Sequence, residues 1–480
     1  LAKNYFYLSI AEMLSKVITF AAIAYLARVV GPTAYGYFEF AAAALFCAGL
    51  IVDQGLGPYG AREIARAPAH AKALVQQIVT LRFVLALIAM VAVVAFAVAL
   101  EHPPLVTQLL LIYALDLLWM PLLLQWVFQG YDQMRTVAVL NIVRQTLFAV
   151  VVFIGVRAAS QIWLVAVAEG VGIVGAAAYG IYRAHRDFGL RLEFKINFSL
   201  RVLRESLPIG LSQIFWVVRM YGAILMLGLI APASEVGYFG AAMRIFVALH
   251  AFIYLYFFNL LPSLARTWRQ RDASFDHLMA RSMWLVAWAC LPIVVAWVML
   301  APAVMTAAYG SQFLAGGAVL AWLGLAFGAA WLDGHYRFGL IAAGQQNAEM
   351  LAQLGGALLA IALIPLLYAR FALGGVGLAL CVAECAVWGI AWGVARARLR
   401  VRGEFGLLLR PALGALLAVV VFWSMSNVGA LERAAVVIFV VTLFMLVVAS
   451  DLRRLMRQVV SNPSRHVRER IAQWMRVHSV

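Results

Sequence analysis

The sequence predicts an all-α polytopic membrane protein: about fourteen transmembrane helices, in two parallel-repeat six-helix lobes plus two C-terminal helices. Three observations predict it. Hydrophobic residues make up 65% of the 480 residues and charged residues only 12%, with a mean hydropathy of +0.93. A soluble chain of this length has no core large enough for so much apolar surface. The apolar residues gather into runs long enough to cross a bilayer, which takes about 20 residues as helix. The loops between the runs carry 27 Lys and Arg on one side and 3 on the other. That bias orients the chain with both termini in the cytoplasm.

The predicted spans 1 to 6 are 4–29, 36–58, 75–100, 106–130, 136–156 and 161–183. Spans 7 to 12 are 205–231, 236–262, 282–307, 315–341, 347–369 and 374–396, and spans 13 and 14 are 410–427 and 433–451. Gly and Pro mark the joints at Gly31-Pro32, Pro103-Pro104, Ala231-Pro232 and Gly374-Gly375, as turn formers do. The first apolar run lacks a cleavage pattern and reads as a retained span. Pro32-Thr-Ala-Tyr-Gly36-Tyr37-Phe38 is echoed by Pro232-Ala-Ser-Glu-Val-Gly237-Tyr238-Phe239 at the equivalent joint, six spans later. Six intervening spans keep both copies on one side, so the repeat is parallel, with a site expected between the halves. The predicted units are an N-lobe over 1–184, a basic cytoplasmic linker over 185–204, a C-lobe over 205–396, and an appendage with a basic tail over 397–480.

The net charge of +16 does not indicate nucleic acid. The basic residues lie in short loops between apolar runs, with no continuous basic face to follow a phosphate backbone. Cys47, Cys290, Cys381 and Cys385 fall inside spans, without accompanying His or Cys pairs, so neither a metal site nor a disulfide framework is expected. The tail Arg453–Arg476 interleaves basic residues with Leu455, Met456, Val459, Val460, Ile471 and Trp474. It reads either as an interfacial amphipathic helix on anionic lipid or as a solvated orienting tail.

Seven cations stand inside the spans: Lys16, Arg28, Arg82, Arg144, Arg219, Arg244 and Arg337. A charge in hydrocarbon costs at least about 2.5 kcal/mol, so a chain keeps one where it does something. The simplest use for so many is a polar cavity that receives an anionic substrate. Lys16 and Arg219, one near the centre of each lobe's first span, are the foremost cavity candidates. Arg82, Arg144, Arg244 and Arg337 complete the candidate set. For Arg82 and Arg144, snorkelling to the interface is the alternative. Arg28, at the end of span 1, is expected to support the Gly31-Pro32 turn. Glu12 stands one turn from Lys16, and Asp333 one turn from Arg337, at the i,i+4 spacing of helical ion pairs. Asp53, Asp116, Glu169 and Glu384 have no same-helix cation. They are expected to pair across helices or to titrate in ion coupling. Trp119, Trp126, Trp216, Trp322 and Trp331 are candidates for sugar stacking, packing or interface anchoring.

Several of these segments resemble one family. Ala27-Arg28-Val-Val-Gly31-Pro32-Thr-Ala-Tyr35-Gly36 is similar to the "AR-x-LGP-x-x-YG" signature of bacterial polysaccharide (O-antigen-type) flippases, members of the multidrug/oligosaccharidyl-lipid/polysaccharide exporter superfamily. Asp53-Gln-Gly55-Leu56 with Ala61-Arg62-Glu63-Ile64, Phe128-Gln-Gly130-Tyr-Asp-Gln-Met134, Leu207-Pro208, Val236-Gly237-Tyr238-Phe239-Gly-Ala-Ala and Gly310-Ser-Gln-Phe313 follow in the same order. The resemblance covers residues 1–345. It implies a two-lobed bundle in the bacterial inner membrane that moves undecaprenyl-diphosphate-linked sugar units between leaflets by alternating access. The partners it implies are the lipid-linked oligosaccharide, membrane lipids, a coupling ion (proton or sodium) and a polysaccharide polymerase; no cofactor is implied. Many relatives carry an acid in span 7 where this chain has Tyr221-Gly222-Ala223, so a coupling role for that acid would pass here to another residue or to none.

Three rival classes stand beside this one. A drug exporter of the same superfamily favours unpaired acids over cations, the reverse of the balance here. A peptidoglycan-precursor flippase needs cavity arginines for the same diphosphate and is the closer rival. A membrane glycosyltransferase or polymerase needs a water-exposed constellation, whereas Glu101, Glu235 and Glu432 are isolated in short loops and no nucleotide motif is present. The chain is therefore expected not to be an enzyme.

Overall fold

The Gly31-Pro32 joint is a bend without a loop. In the computed structural model, which describes residues 2–192, 200–270, 274–399, 401, 405–425 and 427–448, one helix runs Ala2–Asp53 and turns at Gly31 (φ 77°, ψ 170°). That φ is open to glycine and strained for other residues. Pro32 has no N–H to carry the helical ladder through the turn. Spans 1 and 2 thus meet at a single residue. Span 2 ends at Asp53, short of the predicted residue 58, because Gln54 and Gly55 turn left-handed (φ 41° and 79°). Asp53 then accepts the Gly57 N–H at 3.2 Å and starts the short helix Leu56–Arg66.

The remaining spans follow as Ala71–Ala99, Met134–Gly155, Leu164–Phe188, Leu200–Ile230, Ala233–Gln270, Ser274–Tyr309 and Gly316–Ala342. Gln346–Leu399 holds spans 11 and 12 and breaks at Ala372 (φ 47°). Among the described residues all regular structure is helical, and nine helices have the length and hydropathy to cross a membrane. Two of the nine hold two crossings each, so with Leu200–Ile230, Phe405–Ser424 and Ala430–Val448 the set is consistent with fourteen spans.

Span 4 departs from the continuous helix expected over 106–130. It runs Pro104–Asp116, loosens into a short 3-10 turn at Met120–Leu122 that contains Pro121, and resumes as Gln125–Gly130. Proline removes one N–H and clashes with the preceding turn, which breaks a helix interior. The last two helices pack on Ser274–Tyr309, with Trp288 and Leu291 against Ala418, Val437 and Val441. The tail Arg453–Arg476 and residues 193–199 of the expected linker lie outside the described residues.

The two lobes meet at the repeated motif. The end of the bundle that holds Arg62, Arg135 and Arg183 is the basic side, and its opposite is the far side. At the far side Gly36 and Gly237 cross. A Cβ on Gly36 would collide with the Ala233 carbonyl, and one on Gly237 with the Pro32 carbonyl. Each glycine meets the residue four positions before the other, so the contact is self-complementary. This is the signature of a two-fold relation between equivalent segments. It places the pseudo-axis of the repeat between them, with backbones approaching as only glycine permits.

From this crossing, span 2 runs antiparallel along span 7. Phe40 fills the space over Gly228, Phe46 stacks on Tyr221 with ring centroids 4.1 Å apart, and Gly210 abuts the Gln54 backbone. At the basic end the Tyr59 hydroxyl donates to Glu205 at 2.9 Å, and Arg201 donates to the same carboxylate at 2.7 Å. Span 1 holds the other lobe at its far end. Arg28 donates to the carbonyls of Ala307 and Ala308, to the latter at 3.0 Å, and Gln312 donates to the Arg28 carbonyl at 3.1 Å. Arg28 therefore does more than support its own turn, since it ties span 1 to the far end of span 9.

Gly36→Val should hold the lobes apart at the far side. An Ala34→Cys reporter, buried in the native chain and placed in a background without the four native cysteines, should then react faster with a membrane-impermeant maleimide. An unchanged labelling rate would show that the glycine crossing does not seal that end.

Candidate functional site

The spans distribute the buried charges into separate groups. In the N-lobe, Arg82 of span 3 pairs with Asp53 at the end of span 2, and its guanidinium lies 5.6 Å from the Trp126 ring centroid. Arg144 of span 5 pairs with Glu169 of span 6. Asp116 lies buried at the break of span 4, with its Oδ2 lacking a hydrogen-bond partner. In the C-lobe, Arg219 of span 7 meets Glu384 of span 12 at 2.9 Å, each about 1% exposed. Gly356 of span 11 leaves the space that the Arg219 guanidinium occupies. Arg337 bridges Asp333 at 3.3 Å and Glu349 at 2.8 Å, and Gln353 donates to the same Glu349 oxygen at 3.1 Å. A hydrogen-bonded chain, Tyr256–Ser282–His335, links spans 8, 9 and 10 at 2.7 and 2.8 Å.

Only one buried ion pair among the described residues joins the two lobes. Glu39 of span 2, 3% exposed, accepts from Arg244 Nε of span 8 at 2.7 Å, and the Arg244 guanidinium lies 5.2 Å from the Phe38 ring centroid. The repeat explains how the pair fits. With Gly36 equivalent to Gly237, Glu39 corresponds to Gly240 and Arg244 to Ala43. Each lobe thus contributes one charge and leaves a small residue at the position where the other lobe is charged. Gly240 packs directly on the Glu39 side chain.

Lys16 is exposed. At about 100° per residue, Lys16, Phe20 and Ala27 fall within roughly 40° of one another around span 1. Phe20 faces Tyr309 with ring centroids 6.0 Å apart, and the Ala27 carbonyl accepts from Gln312 at 3.4 Å. Lys16 therefore continues the stripe that meets the C-lobe farther out. Met13, Leu14 and Val17 beside it are also exposed. Span 2 by contrast stays packed along span 7 through Phe40 and Phe46.

Against the sequence expectation, the six candidate cations are not gathered in one cavity. Lys16 is exposed on the stripe of span 1 that meets the C-lobe farther out, and Arg244 bridges the lobes. Arg82, Arg144, Arg219 and Arg337 pair with acids of their own lobe. The Arg219 side chain points into the C-lobe because Glu384 and the Gly356 gap stand there. The side chain of Glu12 lies outside the described residues. Trp126 is buried beside Arg82, Trp322 packs over Gly377, Trp331 packs against Phe327, Trp216 sits edge-on to Tyr221, and Trp119 is exposed. Glu39 and Glu349 were not among the expected acids. For Glu39 a signal was present, since the repeat breaks its own symmetry there with Glu against Gly. Among the described residues no group of three His, Cys, Asp or Glu could hold a metal ion.

The family model for polysaccharide biosynthesis proteins matches residues 1–268. The chain belongs to that family. It shares its fold with the lipid II flippase MurJ in an inward closed conformation, at a TM-score of 0.76 and 12% identity over 93% of this chain and 99% of that one. It also shares its fold with an inward-facing multidrug resistance MATE family transporter of the MOP superfamily, at 0.64 and 15% over 83% and 98%. A MOP superfamily transporter from Pyrococcus furiosus aligns at 0.55 and 16% over 83% and 94%. No curated protein matches the chain in sequence. This member of the polysaccharide biosynthesis family thus has the two-lobed transporter fold and a cross-lobe ion pair at its closed end.

Removing one partner of a buried ion pair leaves an uncompensated charge and costs about 3–5 kcal/mol, whereas replacing both with apolar residues of similar volume is often neutral. Arg219→Met alone should therefore markedly lower the melting temperature of the detergent-purified protein. Arg219→Met with Glu384→Leu should recover most of the loss. Recovery of stability without transport would assign the pair a role beyond holding the C-lobe together; recovery of both would make it structural.

Proposed function

We propose that this protein is a flippase for an undecaprenyl-diphosphate-linked oligosaccharide, carrying repeat units from the inner to the outer leaflet of the bacterial cytoplasmic membrane for surface polysaccharide synthesis. The observation that carries the reading is the exposed Lys16 on the inter-lobe stripe of span 1. Both termini lie in the cytoplasm by the loop-charge bias, so an opening there faces the side on which the substrate is made.

The physical task is to bring a diphosphate and several sugars through hydrocarbon while the polyprenyl tail stays in lipid. An opening along the basic half of span 1 admits the head group laterally and leaves the tail outside. Lys16 offsets the desolvation of the diphosphate on entry. Arg244 is the next cation toward the far side, and a diphosphate that reaches it competes with Glu39 for the same guanidinium. Glu39 leaving Arg244 releases a cross-lobe tie, after which the Gly36–Gly237 crossing can part. Opening then depends on an anion having arrived.

A lipid II flippase presents the same diphosphate to the same cations, and the fold shared with MurJ keeps that reading as the second one. A deletion strain separates the two. Under the first reading it loses surface glycan and accumulates complete lipid-linked units on the cytoplasmic leaflet. Build-up of lipid II with intact surface glycan would transfer the protein to peptidoglycan synthesis, and sensitivity to cationic drugs alone would make it an exporter.

In the complemented strain, Lys16→Ala should reduce export at least tenfold at unchanged folded yield, and Lys16→Arg should restore most of it. Full activity in Lys16→Ala would remove the cation from the entry path.

A further inference from the structure

The buried charges around the break of span 4 do not balance. Asp53 and Arg82 form one neutral pair, and Glu39 and Arg244 another. Arg144 and Glu169 form a third, which leaves Asp116 without a cation. Asp116 is 5% exposed, and its Oδ2 lacks a hydrogen-bond partner. It stands where the helix Pro104–Asp116 gives way to the broken part of span 4, and Gly170 of span 6 packs directly on its carboxyl group. The charged groups that act on it are Glu169 of span 6 and Arg144 of span 5. From its own helix Tyr113, one turn earlier, lies within electrostatic reach of both acids and also of Glu39 and Arg244.

Two carboxylates and one guanidinium carry a net charge of −1, and Asp116 is the most deeply buried of the three. An uncompensated buried charge of this kind is neutralised rather than tolerated. Arg144 is committed to Glu169, so the compensating charge must arrive at Asp116. A metal cation would need about six oxygen ligands, and Gly170 closes one face of the carboxyl group.

We propose that Asp116, paired with Glu169 around the single Arg144, is a proton-binding site in the middle of the N-lobe. The Asp116 carboxylate takes up one proton from water at Oδ2 and becomes a neutral carboxyl group, which brings the three-group cluster from −1 to 0. The site stands independently of which substrate is carried.

Infrared spectroscopy of the full-length purified protein reads the protonation state directly. The wild type at neutral pH should show a carbonyl stretching band of a protonated buried carboxyl group that shifts in heavy water. Asp116→Asn, an isostere of the neutral form, should lose that component while keeping the wild-type elution profile. Glu169→Gln should lose it too, because Asp116 then ionises to face Arg144. Either variant alone suffices if the other fails to fold. A component that persists in Asp116→Asn or in Glu169→Gln would overturn the proposal. So would its absence from the wild type, and a sodium-dependent rise in melting temperature seen in the wild type but not in Asp116→Asn would then assign the compensating charge to the metal ion.

Discussion

The crossing of Gly36 over Gly237 is the constraint on which the rest of the arrangement depends. Two transmembrane backbones approach this closely only where neither carries a Cβ. The reciprocal contacts, Gly36 on Ala233 and Gly237 on Pro32, fix the register of span 2 against span 8 and set the repeat axis. Once the register is set, Glu39 comes opposite Gly240 and reaches Arg244, Phe40 finds Gly228, and Phe46 finds Tyr221. A side chain larger than hydrogen at either position would displace this whole set of contacts together.

Much of the fold was legible in the sequence because its determinants are local. Hydrophobic runs, Gly-Pro joints and loop charges are each read within a few residues, and they place the spans and the parallel repeat. The failures have physical causes of the same scale. Asp53 looked like the interior of a span, but Gln54 and Gly55 adopt left-handed backbone there and end the helix. Span 4 looked continuous because Leu and Trp surround Pro121, so hydropathy hid the break that the proline makes.

The candidate site was legible only in part, since membership in a cavity depends on which way a side chain points around its helix. Arg219 and Lys16 occupy comparable positions near the middle of the first span of each lobe, and sequence treats them alike. Glu384 and Gly356, more than 100 residues away, decide that Arg219 points inward to the C-lobe. Nothing in span 7 itself encodes that choice. Glu39 could have been found, since comparing the two copies of the repeat exposes the Glu/Gly and Ala/Arg substitutions that make room for one cross-lobe pair.

The pairing of the buried cations with carboxylates bears on how a transporter of this design avoids leakage. A row of free cations through the bundle would let small anions bind and pass without any change of shape. Here the cations deep in the lobes are already paired with carboxylates, which leaves Lys16 accessible and Arg244 held by Glu39. Breaking the Glu39–Arg244 pair strands the buried Glu39 carboxylate without its cation, which opposes opening. A small monovalent anion replaces one charge of Glu39 and gains little beyond it. A diphosphate on a lipid carrier brings more than one negative charge and is held in place by its tail, so it can displace the carboxylate and remain. Glu39 is then rehydrated as the far side opens. In the proposed cycle the ion pair acts as a threshold, and the charge density and tethering of the substrate are what allow it to be crossed.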